Sequence, residues 1–201
     1  MLILASASPR RKEILEAAGF TIKICVSNFD EVPQPGEAPA DYSLRNAEGK
    51  AKAVAAALGL QLNFASDVVL GADTIVVTSA GVLLEKPSST QHAEQMLRML
   101  SGATHTVFTS YALVRGRTVI ASEIVPTDVT FRILSATEIS RYVATGEPMD
   151  KAGSYGIQGG ASCFVSAIKG THTNVMGLPI AQIIEKCAAI GILDALMGVE
   201  L

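Results

Sequence analysis

A run of cations at a predicted helix start is the first sign of chemistry in this sequence. Ser8 and Pro9 are typical of an N-cap and a first helical position, and three cations follow, beginning with Arg10 and Arg11. The free N–H groups of a first helical turn carry partial positive charge. Cations there are therefore unfavourable, by roughly 0.3–1 kcal/mol each, unless an anion binds. Serine hydroxyls and guanidinium groups suit phosphate as that anion.

Two interpretations of this segment are open. In the first, Ser6 and Ser8 lie just past the end of a buried strand, where α/β proteins bind ligands, and the cations hold a phosphate. In the second, the cations are solvated on an ordinary surface helix. We expect that replacing Arg11 leaves the fold intact, because a cation at a helix N-terminus does not stabilise the helix.

Asp73 is the second candidate, because it lies inside an otherwise apolar predicted strand, residues 68–77. A lone carboxylate in such a strand is costly to bury unless a cation or several donors contact it. One interpretation is structural, with Asp73 capping a local turn at Gly71 or pairing with a core lysine. The other is functional, with Asp73 as a metal ligand or general base.

Three further features are weak signals by themselves. Lys86 ends a predicted hairpin and Lys50 lies on a predicted helix flank, where isolated lysines are mostly solvated surface charges. Residues 147–160 contain five glycine and proline breakers, which suit either a loop that approaches a ligand closely or a plain connection. This loop matches neither GxGxxG nor the P-loop pattern, so it gives no support for dinucleotide or Walker-type binding.

The elements that must position these residues alternate between helix and strand. Strands are predicted at residues 2–5, 20–25, 68–77, 82–85, 105–114, 118–132 and 161–168, and helices at residues 9–19, 39–58, after the caps at Ser88 and Ser135, and from Pro179 to the end. Because the middle of the chain is rich in hairpins, we expect a mixed sheet rather than an all-parallel one.

Composition bounds the class of protein. The chain has 201 residues, enough for one large domain or two small lobes that share a core, and we predict a single domain over residues 1–201. Apolar residues make up 49% and charged residues 17%, which excludes a disordered chain and a coiled coil. The net charge of −3 gives no basic field for nucleic acid or an anionic membrane.

No histidine or cysteine pattern indicates a zinc site or a disulfide scaffold. The histidines are well separated in the sequence: His92, His105 and His172. The cysteines are odd in number and never form a CxxC pair: Cys25, Cys163 and Cys187. With no segment suited to span a membrane and no charge order typical of a signal peptide, we expect a soluble cytoplasmic protein.

Four segments together resemble the signatures of Maf proteins, which are nucleoside triphosphate pyrophosphatases with a historical link to septum formation. They are Ala-Ser-Ala-Ser-Pro-Arg-Arg at 5–11, Gly-Ala-Asp-Thr-Ile-Val at 71–76, Leu-Glu-Lys-Pro at 84–87 and Asp-Lys-Ala-Gly-Ser-Tyr-Gly-Ile-Gln-Gly at 150–159. The resemblance covers nearly the whole chain. It implies an elongated mixed sheet flanked by helices, with a cleft between two lobes, similar to inosine triphosphate pyrophosphatases. It also implies a homodimer, and hydrolysis of dTTP, UTP or modified pyrimidine nucleotides to the monophosphate and pyrophosphate with Mg²⁺ or Mn²⁺.

The resemblance also implies roles for particular residues. Asp73 would be the catalytic proton acceptor and would bind the metal together with Glu31. The triphosphate would be contacted by Ser6, Arg11, Lys50 and Lys86. Base preference would depend on Arg10, Thr74 and Gln158. Thr74 and Gln158 resemble the branch that acts on dTTP and UTP rather than the one that acts on 7-methyl-GTP.

The chemistry of these residue types agrees with that implication. A triphosphate carries about four negative charges, so several cations and a divalent ion are needed to stabilise the transition state of its cleavage. Carboxylates such as Glu31 and Asp73 are hard oxygen ligands that suit Mg²⁺ or Mn²⁺ and not zinc. The alternative is a protein that acts by binding a nucleotide or a protein partner, with hydrolysis incidental. A complete set of charged site residues beside Asp73 favours the enzyme.

Overall fold

The computed structural model describes residues 1–63 and 66–197, and helices alternate with strands there as predicted. The strands are β1 (Leu2–Leu4), β2 (Ile22–Ile24), β3 (Val68–Thr78), β4 (Leu83–Leu84), β5 (Thr104–Arg115), β6 (Thr118–Phe131) and β7 (Val165–Lys169). The helices are α1 (Pro9–Ala17), α2 (Pro39–Leu58), α3 (Thr90–Leu100), α4 (Ala136–Ala144), α5 (His172–Met176), α6 (Ile180–Ala189) and α7 (Leu193–Met197).

The strands form a mixed sheet in the order β2-β1-β3-β5-β6-β7, with β4 paired to β3. β1 runs parallel to both of its neighbours, with Leu2 opposite Ile22 on one side and Val68 on the other. The β3–β4 and β6–β7 pairs are antiparallel. The prediction of a mixed central sheet flanked by helices is therefore confirmed.

The chain divides into two compact units, and of the four boundaries three fall inside β3, β5 and β6 and one directly after α5. The first unit contains the described residues of 1–73, 109–125 and 177–197, and the second contains 74–108 and 126–176.

In the first unit, helix α2 packs its apolar stripe against the parallel strands. Ala51 and Val54 on that stripe contact a cluster that includes Ile3 and Val69. The stripe recurs at helical spacing, so one face of α2 is buried over most of its length. This packing fixes α2 against β1 and β3.

In the second unit, α3 and α4 lie over the strands and enclose an aromatic core. Met96 and Leu97 of α3 and Val143 of α4 belong to one buried cluster with Val107 and Val129. Both helices begin at capped serines. In particular, Ser135 and Glu138 form a capping box at the start of α4. The cap predicted at Ser135 is confirmed, whereas the cap of α3 is Ser89 and not Ser88, because the Ser89 hydroxyl accepts the backbone N–H of His92.

Two predicted boundaries differ from the structure by more than two residues. The helix predicted from Pro179 to the end is two helices, α6 and α7, because Gly191 adopts the left-handed φ of 69° between them. Its last four positions, 198–201, lie outside the described residues. The strand predicted from residue 161 begins at Val165, after a short 3₁₀ turn at Gly160–Phe164. Across the part of the chain that the structure describes, no helix is both long and apolar enough to cross a membrane.

Candidate active site

Asp73 forms the centre of a charged cluster in the first unit. Its side chain is buried, with 6% of the residue exposed, and its Oδ1 accepts a hydrogen bond from Lys50 Nζ at 2.7 Å. The same ammonium group donates to Glu31 Oε2 at 2.8 Å, so Lys50 bridges the two carboxylates. Asn46 Nδ2 lies 3.3 Å from Asp73 Oδ2. The structure therefore brings together three residues that the sequence proposed separately, and it adds Asn46.

A close approach of backbones sets this geometry. A Cβ atom on Gly71 would lie 2.1 Å from the carbonyl oxygen of Ala47, so only glycine lets α2 contact β3 at this point. Asn46 and Lys50 are four residues apart on α2 and project from the same side of the helix. Asp73 lies two residues beyond Gly71, on the strand against which that side packs. The sequence signal for Asn46 was this spacing from Lys50.

The charge state of Asp73 follows from its partners. Burial by itself raises the pKa of the carboxyl, but the charges of Lys50 and Arg11 and the hydrogen bond from Lys50 outweigh burial, so the pKa is lowered. Asp73 is therefore ionised at neutral pH. The structural interpretation of Asp73 proposed an ion pair with a core lysine, and the structure contains such a pair with Lys50. Lys50 is itself a candidate site residue, so the pair fits both interpretations.

Arg11 lies in the interior beside this cluster, with 8% of the residue exposed. Its Nε donates to the carbonyl oxygen of Gly177 at 2.8 Å, and its Nη1 donates to the carbonyl oxygen of Ala72 at 2.8 Å and to Ser6 Oγ at 3.1 Å. Burial lowers the pKa of Arg11, while the nearby charges of Asp73 and Glu31 raise it. Ser6 Oγ also accepts the backbone N–H of Ser8 at 3.2 Å.

The cations of the first helical turn therefore have different environments. Arg11 is buried, Arg10 is half-buried, and Lys12 pairs with Glu16 on the surface at 3.7 Å. The sequence alone does not distinguish the three cations, which it leaves either as phosphate ligands or as solvated charges of one turn. In the structure, Arg11 instead connects α1, the end of the parallel strands and the segment that precedes α6.

Glu31 lies in the chain segment before α2, and two aromatic residues hold this segment against the helix. The Tyr42 hydroxyl donates to the backbone carbonyl of Glu31 at 3.0 Å. The Phe29 ring lies against α2 at Gly49, where a Cβ atom would be only 2.4 Å from ring carbons. Gly49 is a poor helix residue, and the ring of Phe29 is the physical reason for it.

The other predicted site residues belong to the second unit. Thr74 directly follows Asp73 in β3, and Lys86 is exposed just after β4. Gln158 is exposed in the glycine-rich segment. The sequence did not predict that Glu147 contacts this segment. The Glu147 carboxylate contacts that segment at Gly160, whose backbone N–H it accepts at 2.9 Å.

Glu31 and Asp73 are the side chains available to a divalent metal. Among residues 1–63 and 66–197, no group of three or more His, Cys, Asp or Glu is arranged to hold a metal ion. Glu31 and Asp73 converge on a single point, the Lys50 ammonium, and present hard oxygen atoms there. Mg²⁺ usually binds through one or two carboxylates completed by water and substrate phosphates, so this donor pair fits Mg²⁺ or Mn²⁺.

Comparison with known proteins gives the family. The model of the family described as Maf-like protein matches residues 1–190. A relative in Geobacter sulfurreducens, named a dTTP/UTP pyrophosphatase, is 48% identical over 193 residues, which is 96% of this chain and 97% of the relative. A relative of the same name in Escherichia coli O157:H7 is 48% identical over 92% of this chain and 90% of its own. The chain belongs to the Maf family.

A solved structure of a HAM1 protein from Coxiella burnetii is a distant match. It gives a TM-score of 0.41 at 14% identity and covers 65% of this chain and 72% of that chain. A match at this level carries no argument about this chain, so the likeness to inosine triphosphate pyrophosphatases stays a prediction.

Proposed function

We propose that this protein hydrolyses nucleoside triphosphates, chiefly dTTP and UTP, to the nucleoside monophosphate and pyrophosphate. Support comes from membership of the Maf family and from the names of relatives that match nearly the full chain. The observation that carries the proposal is the buried, ionised Asp73 held between Asn46 and Lys50, with Arg11 nearby. An ionised carboxylate surrounded by cations suits the activation of water beside a polyanionic substrate.

Each charged residue in contact with Asp73 or beside it has a role in this proposal. Asp73 orients the attacking water at the α phosphorus and accepts its proton. Lys50 moves from its two carboxylates to the triphosphate, which offers it a stronger anion. Arg11 stays in place and provides a fixed positive charge, because its Nε and Nη1 groups hold backbone carbonyls. In the second unit, Lys86 is exposed and binds a phosphate oxygen.

A divalent cation completes the proposed chemistry. Glu31 and Asp73 would hold Mg²⁺ or Mn²⁺, and the bound ion would neutralise phosphate charge and lower the pKa of a bound water. The position of the Lys50 side chain determines whether the two carboxylates are free to bind the ion. Because Lys50 bridges both carboxylates, ion and lysine compete for the same oxygen atoms. Movement of Lys50 to the substrate resolves that competition.

Base selection is assigned to Arg10, Thr74 and Gln158. The amide of Gln158 both donates and accepts, so it can pair with the O4 carbonyl and N3–H of uracil or thymine. Cytosine offers an amino group and a bare N3 in those positions, which leaves a polar group unpaired in the same geometry. Such a mismatch typically costs ~1–3 kcal/mol, so dTTP and UTP should be turned over well above CTP.

The proposal also covers the setting of the protein. We expect a homodimer in the cytoplasm that acts as a single domain and binds neither nucleic acid nor membrane. The net charge of −3 supports the absence of nucleic acid and membrane binding, and three cysteines with no pairing pattern support a reducing compartment. The homodimer and the single domain rest on the resemblance to Maf proteins.

The first test is the identity of the products. Purified protein is incubated with a panel of nucleoside triphosphates and Mg²⁺ or Mn²⁺, and the products are separated. We expect dTMP and pyrophosphate from dTTP, and little turnover of dTDP. Orthophosphate as the first product from dTTP would contradict the proposal.

Asp73→Asn tests the residue that carries the proposal. The substitution keeps the shape of the side chain and its contact with Asn46 but removes the charge and the base. Turnover should fall by at least ~100-fold, the usual contribution of such a group, while nucleotide binding measured without turnover persists. Near wild-type turnover would assign Asp73 to structure alone.

A further inference from the structure

Residues 156–160 of the second unit wrap around a single carboxylate, that of Glu147. Its Oε2 accepts the backbone N–H of Gly160 at 2.9 Å, and its Oε1 accepts the hydroxyl of Tyr142 at 3.0 Å. The same hydroxyl oxygen accepts the backbone N–H of Gly156 at 3.0 Å. Both ends of the segment are therefore tied to Glu147, one directly and the other through Tyr142.

The glycines of this segment are explained by the same carboxylate. A Cβ atom on Gly156 would lie 2.8 Å from Glu147 Oε1, and one on Gly159 would lie 2.1 Å from the same atom. Any larger residue would push the carboxylate away from the backbone. The sequence suggested that these glycines admit a ligand or form a plain connection, and the structure shows that they admit Glu147.

Residues 156–159 form a tight turn, with one of its two central side chains facing the core and the other facing outward. The N–H of Gly159 donates to the carbonyl of Gly156 at 3.1 Å, which places Ile157 and Gln158 at the two central positions. Ile157 is buried in the core of the second unit, and Gln158 is exposed. The turn therefore presents Gln158 outward from a fixed base.

Neighbouring contacts hold the chain at Glu147 and directly before the turn. Lys151 Nζ donates to the backbone carbonyl of Glu147 at 2.6 Å. Tyr155, which directly precedes the turn, is buried, and its hydroxyl lies 2.9 Å from Nε2 of the buried His105. Movement of Gln158 is therefore limited to its own side chain as long as the Glu147 and Tyr142 contacts persist.

We propose that Glu147 and Tyr142 are positioning residues for base selection, which hold the turn so that the Gln158 amide approaches the base from one fixed position. This inference rests on the proposed function. Pairing with the O4 carbonyl and N3–H of uracil requires the amide at one place, and a turn that is already held there need not be ordered on binding. A loosened turn would lose this advantage for UTP, whereas CTP, which does not make this pairing, would be little affected.

The first experiment measures the turn itself and does not depend on catalysis. Backbone amide hydrogen exchange at residues 156 and 160 is followed by NMR in the wild type, in Glu147→Gln and in Tyr142→Phe. Loss of a charged acceptor should speed exchange at Gly160 by about tenfold in Glu147→Gln. Tyr142→Phe should have the corresponding effect at Gly156.

The second experiment measures base discrimination as the ratio of kcat/KM for UTP to that for CTP. We expect the ratio to fall by about tenfold in Glu147→Gln and in Tyr142→Phe, the usual cost of one unmatched polar contact. In a Gln158→Ala background, Glu147→Gln should not change the ratio further, because it acts only through Gln158. A merely structural role for Glu147 would not produce this dependence on Gln158.

Glu138→Gln is the matched control, because Glu138 also accepts a backbone N–H and pairs with neighbours, but at the start of α4. It should lower thermal stability and leave both exchange at 156–160 and the UTP to CTP ratio unchanged. Unchanged exchange in both test variants, or an unchanged ratio in a wild type that prefers UTP, would overturn the proposal. A wild type that does not hydrolyse UTP would instead refute the proposed function, while the exchange result would still test the turn.

Discussion

At the residue scale, Arg11 shows how one side chain serves structure and charge together. Its Nε and Nη1 groups satisfy the carbonyl oxygens of Gly177 and Ala72, and its charge lies close enough to Asp73 to lower the pKa of that carboxyl. A buried guanidinium keeps its charge because its donors are used by the protein. Arg11 therefore places beside Asp73 a positive charge whose position is already fixed by the protein.

This burial reverses the stability prediction made from the sequence. Arg11→Ala would leave two buried carbonyl groups without their present donor, and each such loss costs ~1–3 kcal/mol. We expect the free energy of unfolding to fall by about 2–4 kcal/mol in the absence of nucleotide, measured by urea denaturation. Arg10→Ala, at the half-buried neighbour, is the control and should change it by less than about 1 kcal/mol. Equal stability of Arg11→Ala and wild type would show that the carbonyls find other partners.

At the element scale, helix α2 contacts the parallel strands, Asp73 and Phe29 with different parts of its surface. Its apolar stripe covers the parallel strands, Asn46 and Lys50 extend to Asp73, and Gly49 accepts the ring of Phe29. The stripe was predictable from periodicity alone. The role of Gly49 was not, because the partner lies 20 positions earlier in a segment with no regular structure.

The contact between Gly49 and Phe29 gives a prediction for stability. Alanine is a better helix former than glycine by about 1 kcal/mol, but at position 49 its Cβ would strike the Phe29 ring. We expect Gly49→Ala to bring no gain in the wild type and a gain of about 1 kcal/mol when Phe29→Ala is also present. Urea denaturation of the four proteins in this cycle provides the measurement. Equal effects in both backgrounds would mean that the ring moves away at no cost.

Much of the fold could be predicted because it depends on local pattern. Apolar periodicity located α2 and α3, capping serines located the starts of α3 and α4, and hairpin turns indicated a mixed sheet. The contacts of the candidate site depend on residues far apart in the sequence, such as Arg11 with Gly177 or Glu147 with Gly160. No local pattern encodes such pairs. The side chains of Tyr142 and Glu147 were missed for that reason, whereas Asn46 was missed although its four-residue spacing from Lys50 on α2 is a local signal.

At the scale of the whole molecule, the second unit encloses a titratable pair in its aromatic core. His105 is 1% exposed, lies edge-to-face against Phe131 at 5.0 Å between ring centroids, and hydrogen-bonds Tyr155. Burial lowers the pKa of His105 to about 4, while the charge of Asp128 opposes the shift. The folded protein therefore holds this imidazole neutral in a range where the unfolded chain protonates it.

This difference predicts how stability depends on pH. The unfolded pKa is about 6.5 and the folded value is lower, so between these values the unfolded state binds more protons and stability falls as pH falls. The loss attributable to His105 should be on the order of 3 kcal/mol between neutral pH and pH 4. His105→Gln should flatten the dependence of the unfolding free energy on pH in that window. The exposed His172→Gln serves as the control, and an unchanged slope in His105→Gln would mean that His105 is not the group responsible.

The contact at Gly71 has a consequence for how this protein can evolve. Helix α2 and strand β3 meet there through main-chain atoms, and a main chain has no rotamers with which to absorb an added methyl group. The spacing that serves Asp73 therefore cannot be adjusted by small steps, whereas the exposed Gln158 can be exchanged without disturbing a packed neighbour. If Gln158 selects the base as proposed, selection for a different base should accumulate changes at position 158 and leave glycine at 71. In that case, related proteins with this fold can change the base that they bind, but they keep the geometry around Asp73.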